Sequence, residues 1–304
     1  MTNKPVIVIA GPTASGKSAV AIELAKKLNC QIVSADSVQV YRGLDIGSAK
    51  ATEQERSEVK HHLIDVLDPW EDYSAASFCG QACQKIEEIR AQGDYPVLCG
   101  GTGFYVRSVL YDLDFGGASP DPVLRASLQE KDEETLYQML LELAPLQAEK
   151  LHKNDKKRVI RAIEIAQSGG DKGEFRQQKK RFDFYQFCLD MPREILYERI
   201  DRRVDIMVQE GLIEEVQNLL SDPRITPDTM CMQSIGYKQI CQYLTGECTL
   251  QEAIFSIKQQ TRHFAKRQLT WFRHEDDVHW LDMTKLETAQ KAADEIIRIV
   301  QNDY

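Results

Sequence analysis

Residues Gly11-Pro12-Thr13-Ala14-Ser15-Gly16-Lys17-Ser18 spell G-x-x-x-x-G-K-[ST], a spacing whose chemistry is the gripping of a di- or triphosphate. The glycines let the backbone turn its N–H groups inward, Lys17 reaches the terminal phosphates, and the Ser18 hydroxyl can hold Mg²⁺ at the positive end of a following helix. The motif does not say which bond of the ligand breaks. Asp36 adds a carboxylate with three open roles: outer partner of a magnesium ion, general base, or helix cap. Thr102 adds a hydroxyl directly after Gly100-Gly101, where the absence of side chains lets backbone approach a ligand. Arg199 and Arg203 stand four residues apart on one helix face, placed either to clamp a departing phosphate or to face solvent. His61-His62 invites a metal reading, but adjacent strand residues point to opposite faces and no third ligand has suitable spacing.

These groups meet only if strands carry them. Val6–Ala10 is an apolar, β-branched run, and Val20, Leu24 and Leu28 recur at helical spacing after Lys17, so the glycine-rich loop joins a strand to a helix. Residues 31–34, His61 to Leu67 and Tyr95 to Cys99 read as further strands, with a helix from about Ser74 to Gln92 that sets Cys79 and Cys83 one turn apart as packing residues. Ligands of an open parallel α/β sheet bind beyond the carboxyl ends of its strands, which sends Lys17, Asp36 and Thr102 to one crevice.

The pattern changes at Gly116-Gly117-Ala118-Ser119-Pro120. From Asp121 to about Gln167 the period is helical, with Leu136, Leu140 and Leu143 on one face and Val159, Ile163 and Ala166 on another, until Gly169-Gly170 and a polar stretch from Asp171 to Arg181. The fold expected is α/β, a parallel core over 1–116 and 183–304 interrupted by a mostly helical insertion over 117–182. Phe184 to Leu189 returns as a strand, and a helix from about Arg193 turns Leu196 and Ile200 away from the two arginines. Thr249 and Glu252 form a capping box that opens a long helix. Along it Lys258, Arg262, Lys266 and Arg273 fall near one face beside Trp271 and Phe272, a stripe suited to RNA or to an exposed charged helix with core aromatics.

The 304 residues carry a formal charge of −9, which argues against nucleic acid until the segregation is noticed: bases gather at Lys153–Arg161, Arg176–Arg181 and Arg262–Arg273. No apolar run approaches the ~20 residues of a membrane span, and no signal peptide is expected. The eight cysteines show neither C-x-x-C nor zinc spacing, as for reduced thiols in the cytoplasm.

Six blocks, in order, resemble the bacterial tRNA dimethylallyltransferases: GPTASGKS from Gly11, ADSVQVYRGLDIGSAK from Ala35, KHHLIDVLDP from Lys60, GGTGFY from Gly100, QSIGYKQ from Gln233 and KRQLTWFR from Lys266. The resemblance implies a fold like that of P-loop NTPases and transfer of a dimethylallyl group from its diphosphate to N6 of adenosine 37 in a tRNA anticodon stem-loop. By similarity Asp36 takes a proton from the amine, Thr102 positions the reacting groups, Mg²⁺ on Ser18 and Arg199 with Arg203 hold the leaving diphosphate, and the enzyme is monomeric. Also by similarity, tRNA is met by Asp36, Ser37, Val38, Gln39, Thr102 and Arg125. The same holds for Lys157, Arg158, Val159, Ile160 and Arg161, for Gln233, Ser234, Ile235, Gly236, Tyr237 and Lys238, and for Lys266, Arg267, Gln268, Trp271 and Arg273. Many relatives have Thr where Ser18 stands, which keeps the hydroxyl, and the zinc finger of eukaryotic relatives has no counterpart after Trp280. The rival readings are a nucleotide kinase on the same sheet, a prenyltransferase of free AMP, and a non-catalytic RNA-binding switch.

Overall fold

Val6–Ala10 (β1), Gln31–Ser34 (β2), His61–His62 (β3), Pro96–Cys99 (β4), Phe184–Asp190 (β5) and Val278–Asp282 (β6) hydrogen-bond into one parallel sheet, ordered β3-β2-β4-β1-β5-β6. This computed structural model describes residues 4–113, 115, 121–168 and 179–302. The chain forms two compact units, one of Met1–Leu110 with Arg181–Tyr304, the other Tyr111–Lys180.

In the first unit β1 and β4 are buried along their whole length, as strands covered by helices on both faces must be. Ile7 and Ile9 of β1 pack with Val20 and Leu24 of the helix Lys17–Leu28, with Ile32, Val97 and Phe187 of neighbouring strands, and with Ile296 and Val300. The last two belong to the helix Ala289–Asn302, whose buried stripe is Ala292, Ala293, Ile296 and Val300. The expected strand from His61 to Leu67 is cut to two residues. Leu63 (φ 61°) and Asp65 (φ 55°) take left-handed backbone, which no strand continues through. Asp65 is held there by Lys50 Nζ and Arg56 Nη1, each donating at 2.6 Å.

The capping box of the long helix Leu250–Arg273 is present, Thr249 and Glu252 each accepting the other's backbone N–H. Its basic stripe is divided, however. Lys258 pairs with Asp205 at 2.6 Å and Arg262 with Asp201 at 2.5 Å, both acids lying on the helix Arg193–Gln209, so those two cations are spent on helix packing.

The chain leaves this unit after the helix Gly103–Leu110 and comes back at Arg181, whose N–H donates to Leu110 O at 2.8 Å. The second unit closes its own neck by the antiparallel bridge Tyr111–Lys180 and the bond from Asp112 N to Lys179 O. Its helices Pro122–Gln129, Glu133–Leu143, Pro145–Ala148 and Lys156–Gln167 enclose Leu128, Leu136, Leu140, Val159 and Ile163. Leu143 departs from the expected apolar face: it is 45% exposed, being the last residue of its helix before Pro145 opens the next. The Gly116–Pro120 junction, Gly169-Gly170 and the polar stretch from 171 to 178 lie outside the described residues. No described helix is long and apolar enough to cross a membrane.

Candidate functional site

The loop from Gly11 to Ser18 hangs between the end of β1 and the helix Lys17–Leu28, and Gly16 makes the turn at φ 99°, a conformation costly for any residue with a Cβ. Among the described residues the N–H groups of Gly16, Lys17 and Ser18 have no acceptor in the chain, so three donors at a helix N-terminus remain for an anion. Lys17 Nζ rests on Pro12 O at 2.7 Å. Thr13, Lys17, Ser18, Asp36, Gln39, Gly101 and Arg203 line a single crevice, as the strand-end argument requires.

Asp36 occupies the turn after β2. Its Oδ1 accepts from Val38 N at 2.8 Å and Gln39 N at 3.2 Å, while Oδ2 has no partner among the described residues. The helix-cap role has no helix to cap, since the next one after β2 is Glu53–Glu58; Asp36 closes a turn and keeps one oxygen uncommitted. Gly100 and Gly101 line the crevice while Thr102, the next residue, is not among its lining residues; the Thr102 carbonyl accepts the N–H groups of Tyr105 and Val106 at the start of the helix Gly103–Leu110.

Positive charge converges here. Arg199 Nη2 lies 3.7 Å from where a Cβ on Gly16 would stand, against the phosphate loop itself. Neither Arg199 nor Arg203 has a carboxylate partner among the described residues, whereas Arg262 on the facing helix has one. Burial, then the neighbouring Arg199 cation, lowers the pKa of Arg203. Two adjacent unneutralised guanidiniums repel, and an anion between them relieves that repulsion.

Although part of its surface opens to the crevice, burial holds the Lys17 ammonium down to about 8, with Arg203 lowering it further and Asp36 opposing. A lowered lysine pKa means that the cation is present below that value and lost above it. Diphosphate affinity is therefore expected to hold below about pH 8 and to fall by up to about tenfold per unit above it. Titration calorimetry on inorganic diphosphate checks this, and Lys17→Arg, always charged, should remove the step. The Cys99 thiol beside Lys17 is pushed up to about 11 by burial and stays neutral.

The residues given to tRNA by resemblance fall into two kinds. Ser37, Lys238, Lys266, Arg267 and Arg273 are exposed, Arg273 standing 3.8 Å from Asp190, and Gln233 is exposed with its amide on Pro227 O. Val38, Gln39, Ser234 and Ile235 are half-buried. Gly236 is buried and starts the helix Tyr237–Leu244, and Tyr237 is fully buried, its hydroxyl donating to Glu215 at 2.7 Å. Trp271 packs on Gly103 and edge-on to Phe104. Gln268 is 6% exposed: its Oε1 accepts from Thr13 N at 2.8 Å and its Nε2 donates to Gly101 O at 2.9 Å. In the second unit Val159 and Ile160 are core, Arg125 forks onto the buried Glu164 with both bonds at 2.7 Å, and Arg161 shares that carboxylate at 3.1 Å. Burial would raise Glu164, but the two arginines outweigh it and its pKa is lowered. Lys157 and Arg158 remain at the surface.

Sequence reasoning missed Glu215. Its carboxylate accepts the N–H groups of Asp45, Ile46 and Gly47 at 2.9, 2.7 and 3.1 Å, fixing the loop that brings Ser48 and Ala49 to the crevice. The signal available was thin: one acid in the amphipathic helix Leu212–Leu220. No group of three or more His, Cys, Asp or Glu residues able to hold a metal occurs among the described residues, and His62 meets Gln31 at 2.8 Å.

The family model described as IPP transferase matches residues 39–275, and that described as isopentenyl transferase matches residues 4–66. The tRNA dimethylallyltransferase of Carboxydothermus hydrogenoformans is 45% identical over 304 residues, 97% of each chain. That of an Exiguobacterium species is 47% identical over 287 residues, covering 93% of this chain and 92% of its own. The crystal structure of a full-length tRNA isopentenylpyrophosphate transferase from Bacillus halodurans superposes with a TM-score of 0.74 at 39% identity, over 99% of this chain and 98% of that one. A eukaryotic dimethylallyltransferase acting on tRNA gives 0.81 at 30% identity, over 99% of this chain and 79% of its own.

Proposed function

The chain belongs to the tRNA dimethylallyltransferase family, and from that premise we propose that it alkylates N6 of adenosine 37 in the tRNA anticodon loop, releasing diphosphate. The observation that carries the reading is the meeting of several cations and one carboxylate at a single crevice. Lys17, Arg199 and Arg203 surround the phosphate loop, and Asp36 keeps one carboxylate oxygen uncommitted opposite them in charge.

The nitrogen lone pair of N6 forms a bond to C1 of the dimethylallyl group while the C1–O bond breaks and its electrons leave with the diphosphate. Negative charge grows on the departing oxygen, where fixed cations stabilise the transition state more than the ground state. The alkylated nitrogen loses its proton to Asp36. A diphosphate suits the loop because no P–O–P bond has to be cut.

Magnesium fits this wall. Ser18 directs a hydroxyl-bearing side chain to the crevice, and Mg²⁺ draws most of its octahedral shell from phosphate oxygens and water, so an acidic cluster is not required. Ser18 would hold the ion, which would neutralise charge on the leaving group.

The target adenine must leave its stack to reach a crevice of this kind. Lys266 and Arg267, exposed on the long helix, support RNA backbone contact on the first unit, and Lys157 with Arg158 supports it separately on the second. Bound RNA then excludes water from the allylic carbon.

Purified protein incubated with Mg²⁺, dimethylallyl diphosphate and an anticodon stem-loop bearing adenosine 37 is expected to yield RNA heavier by one dimethylallyl group on that base. Alkylation of free AMP in preference to RNA, or ATP turnover without RNA product, would overturn the reading.

A further inference from the structure

Gln268 sits on the long helix Leu250–Arg273, yet its side chain belongs to neither that helix nor the surface. The amide carbonyl takes the N–H of Thr13 in the phosphate loop, and the amide nitrogen gives a hydrogen to Gly101 O, one residue before Thr102. The two loops that carry the leaving-group cradle and Thr102 are joined through one amide. The junction is also tight: a Cβ on Gly101 would lie 2.2 Å from Gln268 Nε2, so glycine there is what admits the amide. Each end of the amide is already engaged once, and with 6% of its surface exposed the side chain presents little to RNA, although it borders the crevice.

We propose that Gln268 is a positioning residue for prenyl transfer, a buried brace that holds the phosphate loop and the Gly100–Thr102 loop at a fixed separation, and not a tRNA contact. The proposal rests on the functional reading above. Its physical ground is that reacting atoms must be held close to line of attack, and a misplacement of about 1 Å lowers rates by as much as about 10²-fold. A side chain that fixes the spacing of two site walls acts on kcat. One that touches RNA acts on the KM for RNA.

Steady-state kinetics with dimethylallyl diphosphate and the stem-loop separate these roles. Gln268→Ala is expected to lower kcat by on the order of 10-fold or more while the KM for the stem-loop stays within about 3-fold. Gly101→Ala, which keeps the glutamine but displaces its amide, is expected to reproduce the loss. Combining the two should lower kcat no further than the worse single change, because both remove the same brace. Gln268→Glu retains an acceptor for Thr13 N–H but turns a carboxylate oxygen toward Gly101 O, and should lower kcat at least as far as Gln268→Ala. Thermal melting within a few degrees of the parent shows that each variant is folded. The proposal is overturned if Gln268→Ala raises the KM for the stem-loop and spares kcat, or if the losses from the two single changes multiply in the double variant. A wild-type protein that alkylates no RNA would instead sink the functional reading itself.

Discussion

Asp36→Asn is expected to lower kcat by on the order of 10²-fold or more, with diphosphate affinity held within a few-fold. The substitution is close to isosteric, and the asparagine oxygen can still accept the Val38 and Gln39 N–H groups that Asp36 Oδ1 accepts now. The turn after β2 therefore survives, and what disappears is an oxygen able to take a proton. Single-turnover measurement with saturating RNA isolates the chemical step from product release. Were the Asp36→Asn variant instead to turn over normally but bind Mg²⁺-diphosphate poorly, the carboxylate would be an outer partner of the metal and the proton would leave by another route.

Removing the guanidinium pair should be comparably severe. Arg199→Ala and Arg203→Ala are each expected to reduce kcat by about 10²–10³-fold, the range seen when one preorganised electrostatic contact to a developing anion is lost. Because both cations act on the same leaving group, the double variant should fall short of the product of the two losses. The distinguishing measurement is the affinity for inorganic diphosphate, which must drop in parallel. Unchanged kinetics in both variants would return these arginines to the solvated helix face that their spacing equally allows. Ion pairing favours the clamp: among the described residues Arg262 and Lys258 on the facing helix hold Asp201 and Asp205, leaving Arg199 and Arg203 with no carboxylate.

Much of this site was legible because its parts are local patterns. A β-branched run, two glycines at fixed spacing and apolar residues at helical period gave the loop from Gly11 to Ser18, and the strand-end rule then gathered Asp36 and the Gly100-Gly101 wall without any knowledge of distance. What escaped reading depends on partners far apart in the chain. Gln268 reaches Thr13 across 255 residues and Gly101 across 167, and a glutamine in a basic helix gives no hint of either. The division of the basic stripe escaped for the same reason, since Asp201 and Asp205 are on another helix. Strand β6 was hidden because only Leu281 of its five residues is buried, so no alternation marks it. The shortened β3 was hidden because Leu63 and Asp65 take left-handed backbone, Asp65 being held by contacts with Lys50 and Arg56 that its local sequence does not announce.

The excursion between Leu110 and Arg181 leaves and rejoins the sheet-bearing unit at the main-chain hydrogen bond from Arg181 N to Leu110 O, with further fastening at Tyr111 and Lys180. Its ends are thus stapled together before any of its helices is counted, and the entropy of closing that loop grows only as the logarithm of its length. The catalytic scaffold is therefore indifferent to how long the detour is. Helices can be added, trimmed or exchanged there as a detachable cassette at little cost to the sheet-bearing unit.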